Sequence, residues 1–382
     1  MTPEASLALE GPLPLDELVA EVARRRCEFD RLSHVPKDVI ALMKRTGIFR
    51  SSTPKRFGGD AMAPAEFLRI VERIATADGS AAWVAAFGSA NCYLAALPIE
   101  TQAAIYADGP DQVFAGGLYP VQPAIEEPGG WRVSGRWRFA SGCKGADWIG
   151  VGVGAGPNGA GLPMMAVFPA AHVEIVENWQ VVGMQGTGSH DLRLEGRHVD
   201  AAWTFLRGAK ALIDEPLFRY PSVSYQAEVH AAVNLGLARA ALDLVTDLSG
   251  GTKTTTGAPR LADRAYYRIE LAKAEAEWRG ARAFFYESSE AAWASILAGD
   301  PVSPAQTNLL RLSATHAAQA SSEAIQRCFR MAGTAAIYRD NRLQWIARDA
   351  MVVTQHAFLG DASYDGAGAL FTGVAPTVAP YP

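Results

Sequence analysis

The chain has 382 residues, 49% hydrophobic and 20% charged, a globular balance with enough length for two or three domains and a sizeable core. Lys and Arg total 35 against 40 Asp and Glu, a net charge of −5 with no dense basic stripe, which gives no reason to expect a nucleic-acid partner. No apolar run reaches about 18 residues, so no membrane span is expected, and the N-terminus lacks the basic-then-apolar pattern of a secretory signal. The four cysteines, Cys27, Cys92, Cys143 and Cys328, lack metal-ligand spacing and read as free thiols in a reducing cytoplasm.

The first third reads as helices. Leu15, Leu18, Val19, Val22 and Phe29 mark one apolar face over residues 15–32. Pro36 opens a second helix that stops at Gly47, and Pro64 opens a third carrying Phe67, Leu68, Val71 and Ile74. Ser80 reads as the N-cap of a fourth helix reaching Leu97, where Pro98 ends it. A short helix follows from Ile99.

From Val113 to Phe205 the period switches to two. Residues 131–139 read as a β-hairpin turning at Ser134-Gly135, followed by the loop Ser141-Gly142-Cys143-Lys144-Gly145 and a strand from Trp148 to Gly154. That strand has Ile149, Val151 and Val153 on one face and Gly150, Gly152 and Gly154 on the other. Its bare face invites the approach of a planar ligand. Gly154-Ala155-Gly156-Pro157-Asn158-Gly159 has the spacing of a dinucleotide loop. No helix follows it to hold a pyrophosphate, so it reads as a surface hairpin loop. Further short strands suggest an antiparallel sandwich or barrel. Four long helices then read over residues 224–248, 261–297, 304–331 and 340–358, making a bundle. The expected fold class is α+β, with a helical domain at 1–112, a β-domain at 113–205 and a helical bundle at 206–382.

This order, with several local motifs, resembles the acyl-CoA dehydrogenase superfamily. The motifs are Arg56-Phe57-Gly58-Gly59, Ala77-Asp78-Gly79-Ser80-Ala81-Ala82-Trp83, the strand Gly135–Gly142 ending in a serine, the turn Gly183-Met184-Gln185-Gly186-Thr187-Gly188-Ser189, and Ala347-Arg348-Asp349. The resemblance implies a homotetramer with flavin between domains and subunits. Dehydrogenases of the superfamily typically carry a catalytic Glu shortly after the Arg-Asp pair. Here that position is Ala357, and His356 stands beside it. The combination is similar to the two-component flavin-dependent monooxygenases of the fold, such as the 4-hydroxyphenylacetate and steroid-phenol hydroxylases.

That branch implies reduced FMN or FAD delivered by a separate NAD(P)H:flavin reductase, O2 as co-substrate, a flavin C4a-hydroperoxide, and a small, aromatic substrate. It implies Ser141 and His356 as catalytic groups, Ser141 near flavin N5 and His356 moving protons at neutral pH. Gly142, Thr187 and Ser189 become candidate flavin contacts, with Arg260 and Arg264 reaching flavin phosphate across a subunit interface. Trp83 and Trp137 are candidate pocket walls, with core packing the competing reading. Among the other histidines only His190 is expected near the site, and no metal is expected. Two alternatives stay open: an acyl-CoA dehydrogenase or oxidase with Glu287 or Glu290 as base, and a non-catalytic oligomeric relative.

Overall fold

A computed structural model describes residues 11–154, 163–250 and 259–375. The first helical region comprises α1 (Leu15–Leu32), α2 (Lys37–Arg45), α3 (Pro64–Ala75), α4 (Gly79–Ala86), α5 (Asn91–Leu94) and α6 (Ile99–Ile105). The cap of α4 is Asp78 and not Ser80: the Asp78 carboxylate accepts Ala81 N–H at 2.8 Å. Nor does α4 run to Leu97, because a 3-10 segment over Phe87–Ala90 tightens the chain before α5. All eight residues of α4 are buried, and apart from Trp83 and Val84 they are glycine, serine and alanine, which lets neighbouring elements close around it.

Seven strands follow: β1 (Phe114–Glu127), β2 (Gly130–Ala140), β3 (Trp148–Gly154), β4 (Met164–Pro169), β5 (Glu174–Val176), β6 (His190–Asp200) and β7 (Thr204–Leu206). They form one sheet in the order β5-β6-β2-β1-β3-β4-β7. The pairing of β1 with β3 is parallel and the others are antiparallel, so the sheet is mixed where alternation alone suggested a purely antiparallel one. An irregularity in β1 between Gly117 and Gln122 lets this strand serve both halves of the sheet. Val133, Trp137, Ile149, Val151, Leu192 and Val199 fill the core between them.

The expected hairpin at Ser134-Gly135 is absent. Residues 130–140 are one strand, paired to β1 on one side and β6 on the other, and the turn-like dipeptide sits at a register shift opposite β6. The glycine face of β3 is also closed to ligands. A Cβ on Gly150 would lie 2.7 Å from the Phe114 ring, and one on Gly152 would overlap the Leu118 carbonyl. These glycines admit β1 and its side chains. Of the glycine-rich loop after β3, residues 155–159 lie outside the described residues; β3 and β4 on either side pair antiparallel.

The last region holds α7 (Ser222–Ser249), α8 (Ala265–Leu297), α9 (Pro304–Ala332), α10 (Arg342–Val353) and α11 (Asp361–Thr372). Helix α7 is buried around most of its circumference over residues 223–242, so it forms the centre of the bundle. Its Asn234 amide donates to Ala318 O and Ala350 O, tying α9 and α10 to it. Ser303 and Gln306 form a capping box on α9, a device worth about 1 kcal/mol. The expected helix over 340–358 is shorter. It stops at Val353, and the chain turns so that His356 caps a 3-10 turn over Ala357–Leu359. Among the described residues no helix is long and apolar enough to cross a membrane, and the four cysteines are free thiols.

Candidate functional site

The Gly183–Ser189 turn is wedged between distant parts of the chain. A Cβ on Gly183 would lie 2.5 Å from Arg348 O in α10, and one on Gly186 would lie 2.9 Å from the Phe29 side chain in α1. Only glycine permits either approach. Met184 N donates to Asp349 Oδ1 at 2.5 Å, which explains why the Arg348-Asp349 pair accompanies the glycine-rich turn. Gly142, at φ +71°, donates its N–H to Thr187 O at 2.8 Å and joins the end of β2 to the same turn.

This junction aligns a row of polar groups. Trp83 Nε1 donates to Ser141 Oγ at 3.2 Å. Ser141 Oγ lies 2.6 Å from Ser189 Oγ, Ser189 Oγ lies 2.7 Å from Thr187 Oγ1, and Thr187 donates to Met184 O at 2.8 Å. All four side chains are buried. The three hydroxyls predicted from two separate motifs therefore form one continuous hydrogen-bonded row.

Trp83 also carries the aromatic part of the site. Its ring centroid is 4.1 Å from that of His230 and 5.5 Å from that of His356. The two imidazoles are 4.5 Å apart, and His356 lies edge-on to Phe358 at 4.9 Å. His230 projects from α7 and His356 from the turn after α10. Sequence reasoning missed His230, which sits in an alanine- and leucine-rich helix without a local motif.

Both imidazoles are neutral at neutral pH. Burial pushes His356 down to about 4, and the Arg207 charge adds to the effect, although the ring is only partly buried. Burial likewise holds His230 well below the ordinary histidine value, and His356 lowers it further. His356 Nδ1 accepts Phe358 N–H at 3.4 Å, which assigns its proton to Nε2. The ring is thus arranged to donate a hydrogen bond from Nε2. With Nδ1 accepting from Phe358 N–H and the proton on Nε2, neither ring nitrogen has a free lone pair in this state.

Several expected positions fall elsewhere. Trp137 is fully buried in the sheet core and donates Nε1–H to Gly152 O at 2.7 Å, so it packs and does not wall the ring cluster. Arg260 ion-pairs with Asp263, and Arg264 Nε donates to Pro259 O; within one chain neither joins the hydroxyl row. His190 Nδ1 accepts the N–H groups of Asn178 and Trp179 at 3.1 Å each and braces that loop. Glu287 and Glu290 are exposed, the latter paired to Arg69, so neither is a carboxylate in an apolar site. The buried carboxylate of the bundle is Glu228, raised by burial to about 8 and bonded by Tyr220 OH at 2.9 Å. Among the described residues no cluster of three or more metal-ligating side chains occurs.

The residues fit a flavin ring. Ser141, backed by Ser189 and Thr187, offers a hydrogen-bonding group for the polar edge of such a ring. Beside them Phe139, 67% exposed, lies edge-on to Trp179 at 6.1 Å and offers an apolar ledge.

The acyl-CoA dehydrogenase N-terminal domain model matches residues 15–106, and the acyl-CoA dehydrogenase C-terminal domain model matches 228–360. The chain is 51% identical to an indole-3-acetate monooxygenase of Pseudomonas putida, across 91% of this chain and 90% of that one. The chain belongs to the acyl-CoA dehydrogenase superfamily, among its flavin-dependent monooxygenases. An indole-3-acetate monooxygenase of Acinetobacter baumannii is 42% identical, over 97% of this chain and 96% of the relative. The crystal structure of 3-HSA hydroxylase from Rhodococcus sp. RHA1 superposes with a TM-score of 0.88 at 24% identity, covering 95% of this chain and 97% of that one.

Asp349 gives this monooxygenase an unusual acid response. Burial, then repulsion from Asp78, raises its carboxyl to about 7. A raised acid favours the folded state at pH below about 4. That contribution is lost as pH rises through about 7. Asp349→Asn keeps the oxygen that accepts Met184 N–H but cannot ionise. Urea midpoints of wild type and D349N are therefore expected to diverge with pH, the variant gaining on the wild type from pH 4 to 8. A constant difference across that range would contradict the assignment.

Proposed function

We propose that the chain takes reduced FMN or FAD from a separate NAD(P)H:flavin reductase and inserts one atom of O2 into a small aromatic substrate, an indole-ring compound of the indole-3-acetate kind. The observation that carries this reading is the meeting of Ser141 with Trp83, His230 and His356. A hydroxyl row and a neutral histidine pair converge there from all three regions of the chain. The 51% identity to an indole-3-acetate monooxygenase supports the choice of an indole ring.

The bound reduced flavin supplies the electrons that activate O2. The chain's own residues do the rest. Ser141, with Gly142, Thr187 and Ser189 behind it, holds the polar edge of the cofactor. Trp83 and Phe358 supply apolar surface for a flat substrate. His356 donates its Nε2 proton in a hydrogen bond to an oxygen atom as charge develops on it. His230, neutral and packed at a tilt against both Trp83 and His356, fixes both rings without adding a charge. The reading includes a homotetramer in which Arg260 and Arg264 reach the flavin of another subunit. The exposed Tyr266 and Ile269 at the start of α8, beside these arginines, support it.

The test is turnover under isotopically labelled O2. The chain is mixed with NADH, a flavin reductase, FMN or FAD, and indole-3-acetate. A product carrying one labelled oxygen is expected. No labelled product with either flavin, together with bleaching of bound FAD by an acyl-CoA, would overturn the reading in favour of a dehydrogenase.

A further inference from the structure

Arg207, just after β7, is 5% exposed, yet no carboxylate among the described residues pairs with it. Its backbone N–H is satisfied by Pro163 O, but its side-chain Nη1 is buried without a hydrogen-bond partner. The Tyr93 hydroxyl is buried beside the guanidinium, which acts on it as a donor, and the guanidinium carbon lies 5.9 Å from the Tyr93 ring. On its other side the guanidinium covers the Phe358 ring at 5.2 Å. Phe358 touches His356 and faces His230 at 6.3 Å, so Arg207 stands at the edge of the ring cluster. Among the described residues no anion faces this guanidinium, so the site is unbalanced in charge. A buried guanidinium is costly unless an anion neutralises it.

We infer that Arg207, with the Tyr93 hydroxyl, receives a carboxylate carried by the substrate, and so selects aromatic acids over neutral aromatic rings of the same size. The inference rests on the reading that an indole-ring substrate binds beside His356. A planar guanidinium can hold both oxygens of a carboxylate, and the phenol supplies a third donor. Phe358, covered by Arg207 and edge-on to His356, links the acid-binding end to the reacting end. The charge of Arg207 already reaches His356, where it helps to suppress protonation. A carboxylate bound at Arg207 would reduce that effect.

Binding tests this separately from chemistry. The full chain is loaded with reduced FMN or FAD without oxygen, and its dissociation constants for indole-3-acetate and indole-3-acetamide are measured. The two ligands share a ring and nearly a shape, and differ in charge. The wild type should bind the acid at least about tenfold more tightly. Arg207→Met should weaken the acid by roughly 10- to 100-fold and change the amide by less than about twofold. Tyr93→Phe should give a smaller loss in the same direction, and Arg207→Lys should recover part of the preference. Removing an unpaired buried charge does not threaten folding, and the wild-type comparison needs no variant at all. Equal affinity for acid and amide would overturn the inference, as would equal losses on both ligands in R207M, or failure of the acid to bind. A loss of flavin affinity in R207M with the acid preference intact would also overturn it. An acid preference without labelled product in the turnover assay would leave the inference standing and remove the proposed function.

Discussion

H356A is expected to lower product formation by roughly 10²–10³-fold and to divert NADH oxidation into hydrogen peroxide. The size follows from removing one placed hydrogen-bond donor. His356 Nδ1 is held by Phe358 N–H, and the ring is neutral because burial and Arg207 keep it so. The substitution removes Nε2–H and leaves the hydroxyl row untouched, so affinity for reduced flavin should change little. His356→Asn, which keeps a donor on a shorter side chain, should retain more coupling than alanine. The measurement is product formed per NADH consumed, with peroxide counted separately. Normal coupling in H356A would remove His356 from the mechanism.

Gly236→Ala should be the most damaging single methyl group in the bundle. Gly236 lies in the middle of α7, where α3 crosses it. A Cβ there would overlap the Glu72 carbonyl oxygen and press on Ala75. Both neighbours belong to α3, and backbone does not swing aside like a side chain end. Glu72 is also held on its other side, because its carboxylate accepts Arg282 Nε at 2.7 Å and Tyr286 OH at 2.5 Å. The helices must separate or the variant must strain, a cost of about 3 kcal/mol. Helix propensity alone would favour alanine by up to about 1 kcal/mol. The sign of the result therefore separates propensity from packing. A thermal midpoint several degrees below the wild type is expected, and an unchanged or raised midpoint would contradict the close crossing.

The three-part order was legible because the chain changes period twice, and because Pro36, Pro64 and Pro98 mark helix ends by backbone chemistry. The middle region was less legible. Ser134-Gly135 has the composition of a turn, but composition cannot tell a turn from an irregularity in a long strand paired on both sides. The glycines of β3 looked bare in sequence and are covered by β1. At the site, Ser141, Thr187, Ser189, Trp83 and His356 each lie in or beside a motif, and the fold brings them together. His230 and Arg207 carry no such mark. One is a histidine in a helix interior and the other an arginine after a short edge strand. Only tertiary packing makes them neighbours of Trp83 and Phe358. Trp137 resembled Trp83 in sequence. The difference is the partner of its indole N–H, a strand carbonyl in one case and the Ser141 hydroxyl in the other.

The hydroxyl row has a direction. Met184 O can only accept, so Thr187 must spend its single hydroxyl proton there. Thr187 then accepts from Ser189, and Ser189 in turn accepts from Ser141. At the far end the Trp83 indole can only donate. Every proton in the row is thereby assigned, and Ser141 has none left to offer. It faces the site as an acceptor. A ring nitrogen that bears hydrogen when reduced and a bare lone pair when oxidised would be welcomed in the first state and repelled in the second. Discrimination between redox forms can thus originate in a carbonyl three hydroxyls away from the ligand.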